Sequence, residues 1–179
     1  MTIIHDGGKR KSRLVDVTVS HLEMLSPPDR EVRVPEGRLD VLEVTSPSVP
    51  YYRFLYDAVG QDYRWLSRRK MNDTELSAVI HHPDTRIFVL HVEGSPAGFA
   101  ELDCRDASDI ELVQFGLMGE YHGRGLGTWF LNWVIEHVWS AHPKRFWLHT
   151  CTFDHPAALK LYQKSGFQIF KEEQLKREY

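Results

Sequence analysis

Residues 109–128, DIELVQFGLMGEYHGRGLGT, decide the fold. The first ten read as a strand. The turn Tyr121-His122-Gly123-Arg124-Gly125-Leu126-Gly127 follows. It opens a segment, 127–141, in which Phe130, Leu131, Val134, Ile135, Val138 and Trp139 form one apolar stripe at helical spacing. Three glycines at alternate positions let the backbone approach a ligand closely. The helix start adds unpaired N–H groups and the positive end of a dipole, which suits a phosphate or pyrophosphate. No Gly-Lys-Ser/Thr follows, so this is not a P-loop. Thr128 stands where a dinucleotide fingerprint would need its third glycine. Taken alone, a tight strand-to-helix turn would use the same glycines.

Upstream, strands are expected over 86–94 and 97–106, joined at Gly94-Ser95-Pro96, and the short links favour antiparallel hairpins. Downstream come a strand over 145–153 and a short helix over 156–165, with Ala158, Leu161 and Tyr162 inward and Gly166 as its cap. A last strand follows over 167–175. Toward the N-terminus, Val15, Val17 and Val19 alternate within a strand over 13–25. Pro27, Pro28, Pro35 and Gly37 mark a loop over 26–38, and a second strand spans 39–47. Tyr52, Leu55, Tyr56 and Val59 recur at helical spacing before Gly60. Residues 61–72 read as loop or short helix. Asp73 or Thr74 caps a helix carrying Leu76, Val79 and Ile80 that ends at Pro83. The order predicts an α/β (α+β) fold, a mixed, mostly antiparallel central sheet flanked by helices that leads into a crossover unit. Residues 1–12 read as a flexible tail, and 13–179 as one domain with 13–38 as its N-terminal strand and loop extension.

Composition narrows the function. The 179 residues are 42% apolar and 26% charged with a formal charge of −3, which excludes global disorder and gives no basic footprint for nucleic acid. Two cysteines make no disulfide framework, so a reducing compartment is expected. The N-terminus lacks the apolar region of a secretory signal, and no run approaches the ~20 apolar residues of a membrane helix, so no membrane association and a cytoplasmic location are expected. Ten histidines invite a metal reading, at His81-His82 or His149-x-Cys151. Neither an HExxH nor a paired CxxC exists, and no metal is expected.

A second motif begins 28 residues beyond Gly127: His155, Ala158, Leu161, Tyr162, Gly166 and Phe167. With His122-x-x-Gly125-x-Gly127 before it, the sequence resembles the GNAT superfamily of acyl-coenzyme A-dependent N-acyltransferases. That family's first motif reads Gln/Arg-x-x-Gly-x-Gly/Ala, and its second Asn-x-x-Ala-x-x-Leu-Tyr, three residues, then Gly-Phe. Two positions depart: His122 replaces the Gln/Arg and His155 the Asn, which puts the latter's pantetheine contact in doubt. Asp154 or His155 could cap the helix that Pro156 starts.

The resemblance implies a splayed V between the central strands, with acetyl-CoA as co-substrate lying in it. Backbone groups at Phe115, Gly116 and Leu117 would pair with pantetheine. The amides of His122, Gly123, Arg124, Gly125, Leu126, Gly127 and Thr128 would hold the pyrophosphate. Tyr162 would be the general acid that protonates the leaving thiolate; the competing role is a core aromatic. The acceptor would be the primary amine of a small molecule or peptide, attacking directly in a ternary complex. Glu101 is the first candidate general base, with Glu111 and Asp103 as rivals. Tyr52, Tyr56 and Trp65 would line the acceptor pocket, so the acceptor would carry an aromatic or flat group, or a carboxylate met by Arg53, Arg64, Arg68 or Arg69. An alternative is a non-catalytic acyl-CoA-binding regulatory module. The family often forms homodimers, and nothing in the sequence identifies an interface.

Overall fold

The computed structural model describes residues 14–178, so the expected tail over 1–12 lies outside the described residues. Its strands are β1 (Leu14–Met24), β2 (Leu39–Glu43), β3 (Thr85–Val92), β4 (Ser95–Asp103), β5 (Asp109–Leu117), β6 (Arg145–Cys151) and β7 (Gln168–Glu178). Its helices are α1 (Val49–Gly60), α2 (Asp73–Ile80), α3 (Leu126–Trp139) and α4 (Ala158–Lys164).

Local chemistry sets the helix ends. The Ser48 side chain accepts from the Tyr51 amide at 3.3 Å, with Pro50 in the first turn of α1. For α2 the cap is Asn72, one residue before the expected Asp73. Asn72 and Glu75 satisfy each other's backbone N–H groups in a capping box. Helix α4 starts later than Pro156 because His155 Nδ1 accepts from the Ala157 amide at 3.0 Å and holds a turn. Asp154 does not cap that helix. Its carboxylate reaches back to Thr150 and Cys151.

The strands form one sheet in the order β2-β3-β4-β5-β6-β1-β7. Every neighbour is antiparallel except β5 and β6. That parallel pair holds only from Asp109–Arg145 to Leu112–Leu148; beyond it the two strands part. The mixed sheet and the V between β5 and β6 match the expectation. The N-terminal strand was expected as an extension, yet β1 is interior, antiparallel to both β6 and β7. Its alternating pattern would read the same at an edge.

Apolar side chains cover both faces of the sheet. Phe130, Val134 and Leu131 of α3 pack with Leu22, Phe88, Leu112 and Phe146 on one face. Tyr52, Leu55 and Tyr56 of α1 pack with Ile87, Val89 and Phe99 on the other. Phe130 is fully buried, and its truncation to alanine would cost about 3–5 kcal/mol. These two layers hold the edges of the V rigid.

Candidate active site

The V opens into a cavity of about 990 Å³. At one end lies the glycine turn. Gly123 and Gly125 hold left-handed φ of +74° and +76°, a conformation that strains any residue with a Cβ. Gly125 caps α3 with no side chain, so the first turn of the helix stays open. Among the described residues nothing accepts from the N–H groups of residues 123–128. Six successive donors at a helix start make an anion cradle. His122 Nε2 donates to the Leu117 carbonyl at 3.1 Å and so ties the turn to the end of β5. Its ring meets the edge of His155, centroids 5.0 Å apart.

The wall of the slot is backbone. Gly116 lines it, and a Cβ there would meet Val59 Cγ1 at 2.4 Å, so only glycine lets α1 pack so close to β5. Phe115 turns toward α3 and α4, stacking on Phe130 at 5.4 Å and meeting the edge of Tyr162 at 6.3 Å. Tyr162 is 8% exposed and lines the cavity. No described hydrogen bond uses its hydroxyl. Burial first, and the Asp154 charge second, push its pKa well above the ordinary tyrosine value. The phenol therefore keeps its proton.

A short segment bridges the V. Trp65 Nε1 donates to Asp154 Oδ1 at 3.2 Å. The same carboxylate accepts from Thr150 Oγ1 at 2.7 Å and the Cys151 amide at 2.8 Å. The Arg64 guanidinium lies 4.7 Å above the Phe153 ring, and Tyr63 meets His155 edge-on at 5.6 Å. Residues 63–65, after α1, thus reach residues 153–155, after β6.

Of the expected site residues, Phe115, Gly116, Leu117, His122, Gly123, Gly125, Gly127, Thr128, His155, Tyr162, Tyr56 and Trp65 line this one cavity. Glu101, Tyr52, Arg124 and Leu126 do not. Leu126 is buried in the core, and the Arg124 guanidinium sits 5.6 Å from the Tyr121 ring centre. Glu101 is 1% exposed. Its carboxylate accepts from the Tyr52 hydroxyl and from Arg68 Nη2, the latter at 2.6 Å. The carboxylate is thus held by two donors beneath α1 and lies outside the cavity lining, apart from where the acceptor site was expected. Tyr52 is fully buried for the same reason. Asp103 accepts from Arg105 Nε at 2.9 Å, away from the cavity. Arg53 is held by Asp73, and Arg69 by Asp57. Of the four expected arginines only Arg64 lines the cavity, with Lys70 nearby.

Sequence reasoning missed Gln114, Asp154 and His149 as parts of the site. Gln114 pairs in register with Glu101, so it stands on the α1 face of the V. The period-two spacing of His149 and Cys151 was the legible signal for β6. Among the described residues no group of three His, Cys, Asp or Glu side chains is placed to hold a metal ion. No helix among them is long and apolar enough to cross a membrane.

A sequence model of the acetyltransferase (GNAT) family matches residues 52–167, more than half the chain. The chain belongs to the GNAT acetyltransferase family. Enzymes of that family take an acyl-CoA and an amine substrate. An uncharacterized N-acetyltransferase of Methanocaldococcus jannaschii is 25% identical over 115 residues, covering 61% of this chain and 50% of the relative. The chain thus spans about half the length of the curated relative it matches. Among solved structures, a GCN5-related N-acetyltransferase from Kribbella flavida superposes with a TM-score of 0.62 at 16% identity, covering 92% of this chain and 59% of that one. A tandem GNAT protein from the clavulanic acid biosynthesis pathway gives 0.65 at 14% identity, covering 93% and 55%. At these identities the likeness is one of fold.

Proposed function

We propose that this GNAT-family chain is an N-acetyltransferase that moves an acetyl group from acetyl-CoA to a primary amine by direct attack in a ternary complex. One observation carries the reading: Gly123, Gly125, Gly127 and Thr128, whose amides are unpaired, and the proton-bearing Tyr162 line the same cavity. The residues present fit the co-substrate. The amide cradle suits a pyrophosphate, Arg64 and Lys70 add positive charge, and the edge of β5 beyond Leu112, where it has parted from β6, suits an amide-bearing arm.

Acetyl-CoA supplies a thioester whose carbonyl carbon bonds to the amine nitrogen while its C–S bond breaks. The backbone of Phe115 to Leu117 orients the arm. Tyr162 gives its phenolic proton to the departing sulfur and regains one from solvent. Gln114, Tyr56 and Trp65 line the approach for the amine.

The test is thermal unfolding with acetyl-CoA, followed by thiol release against a panel of amines: a polyamine, an amino acid, an aminosugar and a lysine peptide. At about a hundred times its dissociation constant, acetyl-CoA adds about 2.7 kcal/mol of native-state stability. A clear rise in melting temperature and turnover with at least one amine are expected. The absence of any rise removes the cofactor assignment. A rise without turnover leaves an acyl-CoA-binding module.

A further inference from the structure

The reading above names a proton donor for the thiolate and no acceptor for the proton that the amine must lose. Glu101, the first candidate, is consumed by Tyr52 and Arg68. A different group sits at the vertex of the V. The β5–β6 ladder ends at Leu112–Leu148, so His149 is the first β6 residue past the last pair. Its ring lines the cavity and its side chain is 46% exposed. Its Nδ1 lies 3.2 Å from Glu111 Oε1, on β5 one residue before the strands part. The Glu111 side chain is 19% exposed and does not itself line the cavity.

We propose, resting on the transferase reading, that His149 accepts the amine proton through Nε2, and that Glu111 is a positioning residue holding the ring by Nδ1–H. A carboxylate on Nδ1 fixes the tautomer in which Nε2 has a free lone pair. The strand faces support this division. His149 alternates with Leu148 and Thr150, which are buried on the α3 side with Leu22 and Ser20, so His149 stands on the opposite face. Tyr162 approaches from the α4 side against Phe115. Proton acceptor and proton donor therefore flank the slot from opposite faces of the sheet. His149 Nε2 takes one proton from the ammonium form of the amine, and the neutral nitrogen so freed forms the new C–N bond and loses its second proton to solvent. The sulfur takes the C–S electron pair and the Tyr162 proton. Solvent then relieves His149 and restores Tyr162, so charge balances.

Two other rings flank the imidazole. On β1, His21 lies 5.9 Å away, ring to ring, and itself bonds to Glu173 of β7 at 2.9 Å. On β6, the Trp147 ring centre is 6.5 Å away. Glu111 is the one described carboxylate in direct contact with His149.

The experiment uses the purified full chain in two arms. In the first, nitrogen NMR of the imidazoles without ligand reads the His149 tautomer, assigned by its loss in His149→Gln. The Nδ1–H form is expected, and it should be lost in Glu111→Gln. In the second, thiol release is followed across pH with acetyl-CoA and two nucleophiles. One is the best primary amine of the panel. The other is hydroxylamine, which is already neutral near pH 7. His149→Gln should lower kcat/KM for the primary amine by about a hundred-fold or more and erase its acid limb, while hydroxylamine turnover falls far less. Glu111→Gln should give a smaller loss with the acid limb displaced. Both variants should keep the wild-type acetyl-CoA thermal shift. An Nε2–H tautomer, or a wild-type pH profile in His149→Gln, overturns the proposal while the thermal shift keeps the transferase reading intact.

Discussion

Phe167 closes helix α4 directly onto Tyr162. Its amide donates to the Tyr162 carbonyl at 3.2 Å, and its ring stands edge-on to the Tyr162 ring at 6.2 Å. Gly166, at φ +104°, makes this possible, and its own amide donates to Gln163 at 3.1 Å. The pair of bonds is a Schellman closure with its usual hydrophobic contact. The second motif of the sequence is thus a device that fixes one phenol at the cavity wall.

Tyr162→Phe keeps that closure and removes only the hydroxyl. Turnover should fall by about ten- to a thousand-fold, with the acetyl-CoA thermal shift unchanged. Steady-state thiol release beside calorimetry checks both. Undiminished turnover takes Tyr162 out of the mechanism.

Gly125→Asp places a side chain at a left-handed φ of +76° and a negative charge beside the open amides. The acetyl-CoA thermal shift should vanish. Gly125→Ala carries the backbone strain, about 1–2 kcal/mol, without the charge, and should retain part of the shift. Equal shifts in wild type and Gly125→Asp would refute the cradle.

Arg68→Met leaves Glu101 buried without its cation. Stability should drop by about 3–5 kcal/mol, while activity per folded molecule changes little. Denaturant unfolding reads the first effect and active-site-normalised turnover the second. A variant as stable as wild type would mean the pair does not hold α1 on β4.

Burial raises the pKa values of both Tyr52 and Tyr162 in the folded chain, with the Glu101 charge adding to the effect on Tyr52. The unfolded chain releases those protons near the ordinary value of about 10. The resulting stability is complete below that pH and is lost as pH rises beyond it. Melting temperature should therefore decline above about pH 10, and less steeply in a Tyr52→Phe, Tyr162→Phe double variant. Calorimetry from neutral to alkaline pH measures the two slopes; identical slopes would refute the assignment.

Local spacing made much of this molecule legible. The glycines from Gly123 to Gly127 and the run from His155 to Phe167 encode turns and caps within a few residues, so their chemistry shows in sequence. The fate of Glu101 does not. Its strand alternation is that of a solvent-facing acid, and only the return of α1 and Arg68 over that face turns it inward. His149 was legible as a residue type and not as a site, because its meaning depends on where the β5–β6 ladder stops. The interior position of β1 was also hidden, since period-two patterning carries no information about neighbours.

That position has a consequence for how the chain is made. The earliest strand described, β1, finds both partners in β6 and β7, so Val19 must wait for Cys151 and Leu14 for Glu178. A ribosome would release nearly the whole sequence before half of the sheet could zip. Such distant pairings raise contact order and slow folding. Until then the free edge of β6, which carries His149, stands uncovered, and a nascent chain would need shelter there before its cavity could form.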